Sequence, residues 1–185
     1  MKALQTKQGV FVLVATDVKG IVTRADLNKP PVRVYLFGLV SLLEMHLGFW
    51  VRRTYDGDSW KERLGKKRLD AANALQAERQ ARNEEITLFD CLQFCDKRDL
   101  FLAGRDLRAK LDLGGKKHVD SLLKKAEDLR NRLAHSQQDL VQGTSWQSLI
   151  EVVEGLEALV HRSDDAVEQE AKSVNKSVDE LWIVH

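Results

Sequence analysis

Lys116-Lys117-His118-Val119-Asp120-Ser121-Leu122-Leu123-Lys124-Lys125-Ala126-Glu127-Asp128-Leu129-Arg130-Asn131-Arg132-Leu133-Ala134-His135 is the stretch on which the fold turns. Val119, Leu122, Leu123, Ala126, Leu129 and Leu133 recur at helical spacing, so they form one apolar stripe with charged residues around the rest of the helix. Arg130 follows Ala126 by four and Leu123 by seven, which sets its guanidinium on that stripe. A charge there must be paired, or must line a cleft or an interface. Asn131 and His135 are four apart and stack on a second, polar face.

Further helices flank this one. Gly143 precedes a helix with a stripe of Trp146, Leu149, Ile150, Val153, Leu156 and Val160. Past Arg162 the chain turns polar, and its last stretch is expected to fray or to pack on a neighbour. Upstream, Gly114-Gly115 ends a short segment over 105–111, and Thr87 opens a helix with Leu88, Cys91, Leu92 and Cys95 on one face. Ser59, with Glu62 three residues on, predicts a capping box and a helix over 59–83. That helix carries the basic cluster Lys61, Arg63, Lys66, Lys67 and Arg68. Pro30-Pro31 pre-sets another helix over 32–53, apolar on most sides. Arg33, Glu44 and His46 are costly in a bilayer, so it reads as a buried core helix, with no membrane partner.

The front end differs. Val10, Phe11, Val12, Leu13 and Val14 form one β-branched and aromatic run, Asp17-Val18-Lys19-Gly20 a turn signal, and Ile21-Val22-Thr23 a second strand. A β-hairpin over 9–27 follows, and two strands alone are marginal in water. It needs cover from a helix or a partner chain, within one subunit or across two.

With 185 residues and 43% hydrophobic content the chain suits a packed core of ordinary domain size. The fold class expected is mainly α: a helical bundle behind a short hairpin, divided at residues 1–55 and 56–185. Lys plus Arg (29) nearly cancels Asp plus Glu (28), so any nucleic-acid contact must come from a local patch. Cys91 and Cys95 lack the spacing and the second pair of a zinc site and read as small core hydrophobes. His46, His118, His161 and His185 are scattered without metal-ligand spacing. Nothing at the start reads as a signal peptide, and a cytoplasmic, reducing location is expected.

Two resemblances add to this. Arg130-Asn131-Arg132-Leu133-Ala134-His135 fits the Arg-Asn-x-x-x-His signature of the HEPN superfamily, with Asp96-Lys97-Arg98 as a polar cluster on an earlier helix, over roughly residues 59–161. The resemblance implies a dimeric helical bundle in which two such motifs face each other across a cleft. It also implies an RNA endonuclease that needs no cofactor or metal, of the kind found in toxin and defence systems. Its catalytic residues would be Arg130, Asn131 and His135, its substrate RNA, and its restraint an antitoxin or regulatory protein. Some toxin members have a tyrosine two residues after the histidine, where this chain has Gln137. Gly20-Ile21-Val22-Thr23-Arg24-Ala25-Asp26-Leu27 resembles the end of a CBS domain, over about residues 9–44, the second half of that module. It implies an adenine nucleotide as regulator, touched by Thr23 and Asp26.

The residues themselves leave plainer readings open. Arg130 would serve as an interhelical or interface salt bridge, His135 as a surface histidine near a helix end, and Thr23 and Asp26 as caps of the following turn. The chain would then be a non-catalytic dimerising module for a nucleotide or a protein.

Overall fold

The computed structural model describes residues 3–104, 106–134, 140–141 and 143–182. The chain is mainly helical, with one two-stranded antiparallel sheet. A short helix α1 (Ala3–Thr6) precedes strands β1 (Gly9–Val14) and β2 (Asp17–Thr23), and a 3-10 turn follows at Arg24–Asn28. Then come α2 (Pro30–Thr54), a 3-10 turn at Ser59–Arg63, α3 (Lys66–Gln80), a 3-10 turn at Phe89–Cys91 and α4 (Phe94–Ala103). The rest is α5 (Leu107–Lys110), α6 (Lys116–Ala134), α7 (Trp146–Ser173) and α8 (Val178–Trp182).

α2 is the centre of the bundle. It packs against α4, α6 and α7, and it buries Leu36, Val40, Leu43, Leu47, Trp50 and Val51 nearly completely. By length and composition α2 would cross a membrane, yet 56% of its most apolar window is buried inside the protein. The continuous core takes in Leu100 and Phe101 from α4, Leu123 and Ala126 from α6, and Leu156 and Val160 from α7. It therefore runs across residue 55, joining α2 to the helices that follow.

Several boundaries differ from the sequence reading, each for a local reason. The hairpin turns at Ala15-Thr16, with Ala15 at φ 55°, so Asp17 to Gly20 belong to the second strand. Lys19 is an extra residue there, a bulge between the Val12–Gly20 and Leu13–Val18 pairs. The helix expected over 59–83 is interrupted at Leu64-Gly65, and Asp58 rather than Ser59 takes the cap position of the 3-10 turn. Likewise Thr87 caps only the short 3-10 turn: its hydroxyl donates to Asp90 Oδ2 at 2.5 Å, and α4 starts from a separate Gln93–Asp96 capping box. Cys91 and Cys95 consequently sit on different elements.

The larger correction concerns the end of α7. Far from fraying after Arg162, the helix continues to Ser173 and buries Ser163, Ala166, Val167 and Ala171. These small residues keep the three-and-four spacing. Glu170 lies between them and holds both Arg53 of α2 and Lys110 of α5. The chain then folds back through α8, whose Trp182 meets Phe49 at 4.6 Å and the His46 ring edge-on at 5.1 Å between centroids.

Candidate active site at the end of α6

α6 is held by its stripe. Val119, Leu123, Ala126 and Leu129 are buried, and Leu122 packs where Gly155 of α7 leaves room: a Cβ at 155 would lie 2.7 Å from Leu122 Cδ1. Each residue turns the helix by about 100°, so Arg130 falls angularly between Val119 and Leu123, inside the buried sector. Yet Arg130 is exposed, and so is Ala134 on the same side. In the last turn Leu133 still packs against the core, but among the described residues the cover does not extend round to Arg130. Arg130 thus lies in the angular sector of the apolar stripe, as its spacing implies, and no described carboxylate pairs with its guanidinium, so of the arrangements open to such a charge the cleft or interface is left.

Asn131 is exposed beside it. His135 lies outside the described residues, as does Gln137. One turn before Asn131, on the same polar face, Glu127 pairs with the mostly buried Arg98 of α4. Arg98 also donates from Nη2 and Nε to Asp99 Oδ1 at 2.8 and 3.0 Å. Asp99 Oδ2 accepts from Arg68 of α3 at 2.7 Å, and Arg68 lies 3.2 Å from buried Asp96. Burial pushes the Asp99 carboxyl up, but hydrogen bonds from Arg98 and Arg68 outweigh it and hold it below its ordinary value. The Asp96-Lys97-Arg98 cluster is therefore a structural strut, with Lys97 tied to Glu44 of α2 at 2.8 Å. It runs from α3 through α4 to the helix that carries the motif.

The basic cluster at the start of α3 joins this strut through Arg68, whose charge is already answered by two carboxylates. Lys61 likewise pairs with Asp58 at 2.5 Å. Of that cluster Arg63, Lys66 and Lys67 remain as exposed cations with no ion-pair partner among the described residues.

At the other side of the α6 end, Arg132 donates from Nη1 to the Leu140 carbonyl at 3.0 Å, and the Leu140 N–H donates to Asn28 Oδ1 at 3.0 Å. The end of α6 is in this way fastened to the base of the hairpin. A cavity between α6 and α7, lined by Lys125, Asp128, Leu129 and Arg132, measures about 40 Å³. That holds a water molecule, and no nucleotide fits in it.

No family model, no curated protein and no solved structure matches the chain.

Thr23 and Asp26 are brought together, but by each other. Thr23 N–H and its hydroxyl donate to Asp26 Oδ2 at 2.6 and 2.9 Å, and Lys29 Nζ lies 2.5 Å from Oδ1. The Lys29 hydrogen bond, then those from Thr23, bring the Asp26 carboxyl down to about 2. Both side chains cap the 3-10 turn, as the plainer reading has it.

Among the described residues no group of histidines, cysteines and carboxylates is arranged to hold a metal ion. Burial pushes both the Cys91 and Cys95 thiols up, away from reactive thiolate. A feature the sequence reading missed is the buried trio Trp50–Ser163–His46, which ends on the exposed Asp164. Ser163 Oγ accepts from Trp50 Nε1 at 2.6 Å and lies 2.7 Å from His46 Nδ1, while His46 Nε2 faces Asp164 at 3.4 Å. The signal for it was a lone serine in an otherwise small-residue stripe of α7. Ser163 is fully buried and His46 2% exposed, so this is a core network with no route for substrate. A groove of about 520 Å³ is lined by Arg52, Tyr55, Trp60, Phe89, Asp90 and Trp182, none of them on α6.

Proposed function

We propose that the chain is a metal-independent RNA endonuclease of HEPN type, with Arg130, Asn131 and His135 forming half of a site that two copies complete. The observation that carries this is Arg130: a cation in the apolar sector of α6 that no described element covers. Such a position suits a surface that becomes a cleft when a second copy closes over it. Among the described residues, a cavity beside the last turns of α6 is water-sized.

The chemistry needs little. In RNA the 2′-hydroxyl beside the scissile phosphate is a built-in nucleophile. Its oxygen forms a bond to phosphorus as the bond from phosphorus to the 5′-oxygen breaks, leaving a 2′,3′-cyclic phosphate and a 5′-hydroxyl. His135 takes the proton from the 2′-hydroxyl, and a histidine in the protonated form returns one to the departing 5′-oxygen; such transfers contribute about 10²–10⁴-fold. Arg130 stays cationic and presents its planar fork to the phosphate oxygens as charge develops. Asn131 orients the imidazole or contacts the phosphate.

The test is incubation of the full chain with mixed RNA in excess EDTA, beside Arg130→Ala and His135→Ala. Cleavage that both substitutions abolish supports the reading. Cleavage that survives both removes this site, and no cleavage at all favours the second reading. That reading is a non-catalytic dimerising module, and the near-neutral net charge of +1 speaks for it.

A further inference from the structure

The hairpin leaves an unusual amount of apolar surface in water. Phe11, Leu13, Val18 and Ile21 share one face, because Phe11 pairs with Ile21 and Leu13 with Val18. Their exposures are 66, 59, 59 and 56%. Val12 and Val14 on the opposite face are exposed as well. The sheet has two strands and packs on the body at its base, through α1 and the 3-10 turn at Arg24–Asn28. A two-stranded ribbon of this kind is marginal on its own.

The two edges are not equivalent. β2 carries Asp17, Lys19 and the bulge, devices that discourage strand addition. β1 reads Gly-Val-Phe-Val-Leu-Val, with no charge, no proline and no bulged residue. We propose that β1 is the seam of a symmetric dimer: the β1 edges of two copies pair antiparallel, giving a four-stranded sheet in the order β2-β1-β1-β2.

A second copy fits this edge better than a partner of other composition. A strand without charge pairs with its own image at no electrostatic cost, and antiparallel pairing about a two-fold axis is self-complementary. Across the seam Phe11, Val12, Leu13 and Val14 of β1, all exposed in the single chain, gain apolar cross-strand neighbours of their own kind on both faces of the sheet.

The seam also bears on the proposed nuclease site, and this part of the inference rests on that reading. The hairpin base is fastened through Asn28 and Leu140 to Arg132. A two-fold axis at β1 therefore lies at the same end of the molecule as the last turn of α6. The same contact that pairs the hairpin edges brings the two Arg130 ends of α6 toward one axis.

Sedimentation of the full chain over low-micromolar to submillimolar concentration is the test, with Phe11→Lys/Leu13→Lys as the variant. The expected result is a dimer whose dissociation constant rises at least about 100-fold in the variant, with the helical circular dichroism unchanged. A chain that stays monomeric throughout leaves the hairpin to a different protein and overturns the proposal. So does a dimer that the double substitution leaves intact. Hydrogen exchange on the wild-type chain guards against a variant that misfolds: amides of residues 10–14 that face the open edge must gain protection as the dimer forms, and equal exchange in monomer and dimer refutes the seam. A dimer with protected β1 and no RNA cleavage keeps this inference and sinks the nuclease reading, so the two fail separately.

Discussion

Replacing Ser163 by alanine removes one oxygen from the centre of the protein. That oxygen is fully buried and serves two partners, Trp50 Nε1–H and His46 Nδ1. Ser163 Oγ accepts from Trp50 and shares a hydrogen bond with His46 Nδ1, while Nε2 of the same ring faces Asp164 at 3.4 Å. Without Ser163 Oγ both groups are stranded in a site closed by Trp182. A stranded buried polar group costs roughly 1–3 kcal/mol, so Ser163→Ala is expected to lose about 2–4 kcal/mol. Urea unfolding followed by circular dichroism reads this as a lower midpoint with an unchanged slope. The same network gives a pH signature. Burial holds the His46 imidazole below its ordinary value, against the pull of Asp164. The folded protein then binds this proton less readily than the unfolded chain, whose histidine titrates near 6.5, so the stability is present above about pH 6.5 and declines as pH falls below it. The decline is at most about 1.4 kcal/mol per pH unit for one such group. His46→Gln abolishes that component. A Ser163→Ala protein within about 0.5 kcal/mol of wild type would refute the reasoning, since two desolvated partners cannot be lost at so little cost.

Three further outcomes test other joints of the structure. Arg98→Ala removes a mostly buried cation, leaving Glu127 without its partner and Asp99 with Arg68 alone, and a loss of about 1–3 kcal/mol is expected in the same urea assay. Arg68→Ala, whose side chain is 42% exposed, is expected to cost no more than about 1 kcal/mol; equal effects would show that α4 is not the strut between α3 and α6. For the CBS-like segment, calorimetry with AMP and ATP is expected to give no heat at millimolar nucleotide, because Thr23 and Asp26 are spent on the cap. Binding that Asp26→Ala removes would restore the nucleotide-sensor reading.

How much of this the sequence disclosed depends on the kind of signal. α2 and α6 were legible because Pro30-Pro31 fixes one start and a strict three-and-four stripe defines the other. The second half of α7 was not, because its buried face is serine, alanine and valine among charges, and the ionic clamp on Glu170 comes from residues far away in the chain. The turn of the hairpin was misplaced because it uses Ala15 in a left-handed conformation, where glycine or asparagine is the usual sign. At the candidate site, periodicity correctly gave the angle of Arg130 on the helix. It could not give its exposure, which depends on where the neighbouring helices stop. Spacing also could not show that Arg98 is committed to Glu127 and Asp99, since ion-pair partners are chosen by packing.

The nuclease reading stands or falls on the ends it leaves in RNA. A defined oligonucleotide incubated with the full chain in EDTA, with any fragments weighed by mass spectrometry, reads the chemistry directly. The account predicts a 2′,3′-cyclic phosphate on one fragment and a 5′-hydroxyl on the other, both absent with Arg130→Ala. Fragments carrying 5′-phosphate, or cleavage of an oligonucleotide whose 2′-hydroxyl at the cut is replaced by hydrogen, would contradict it.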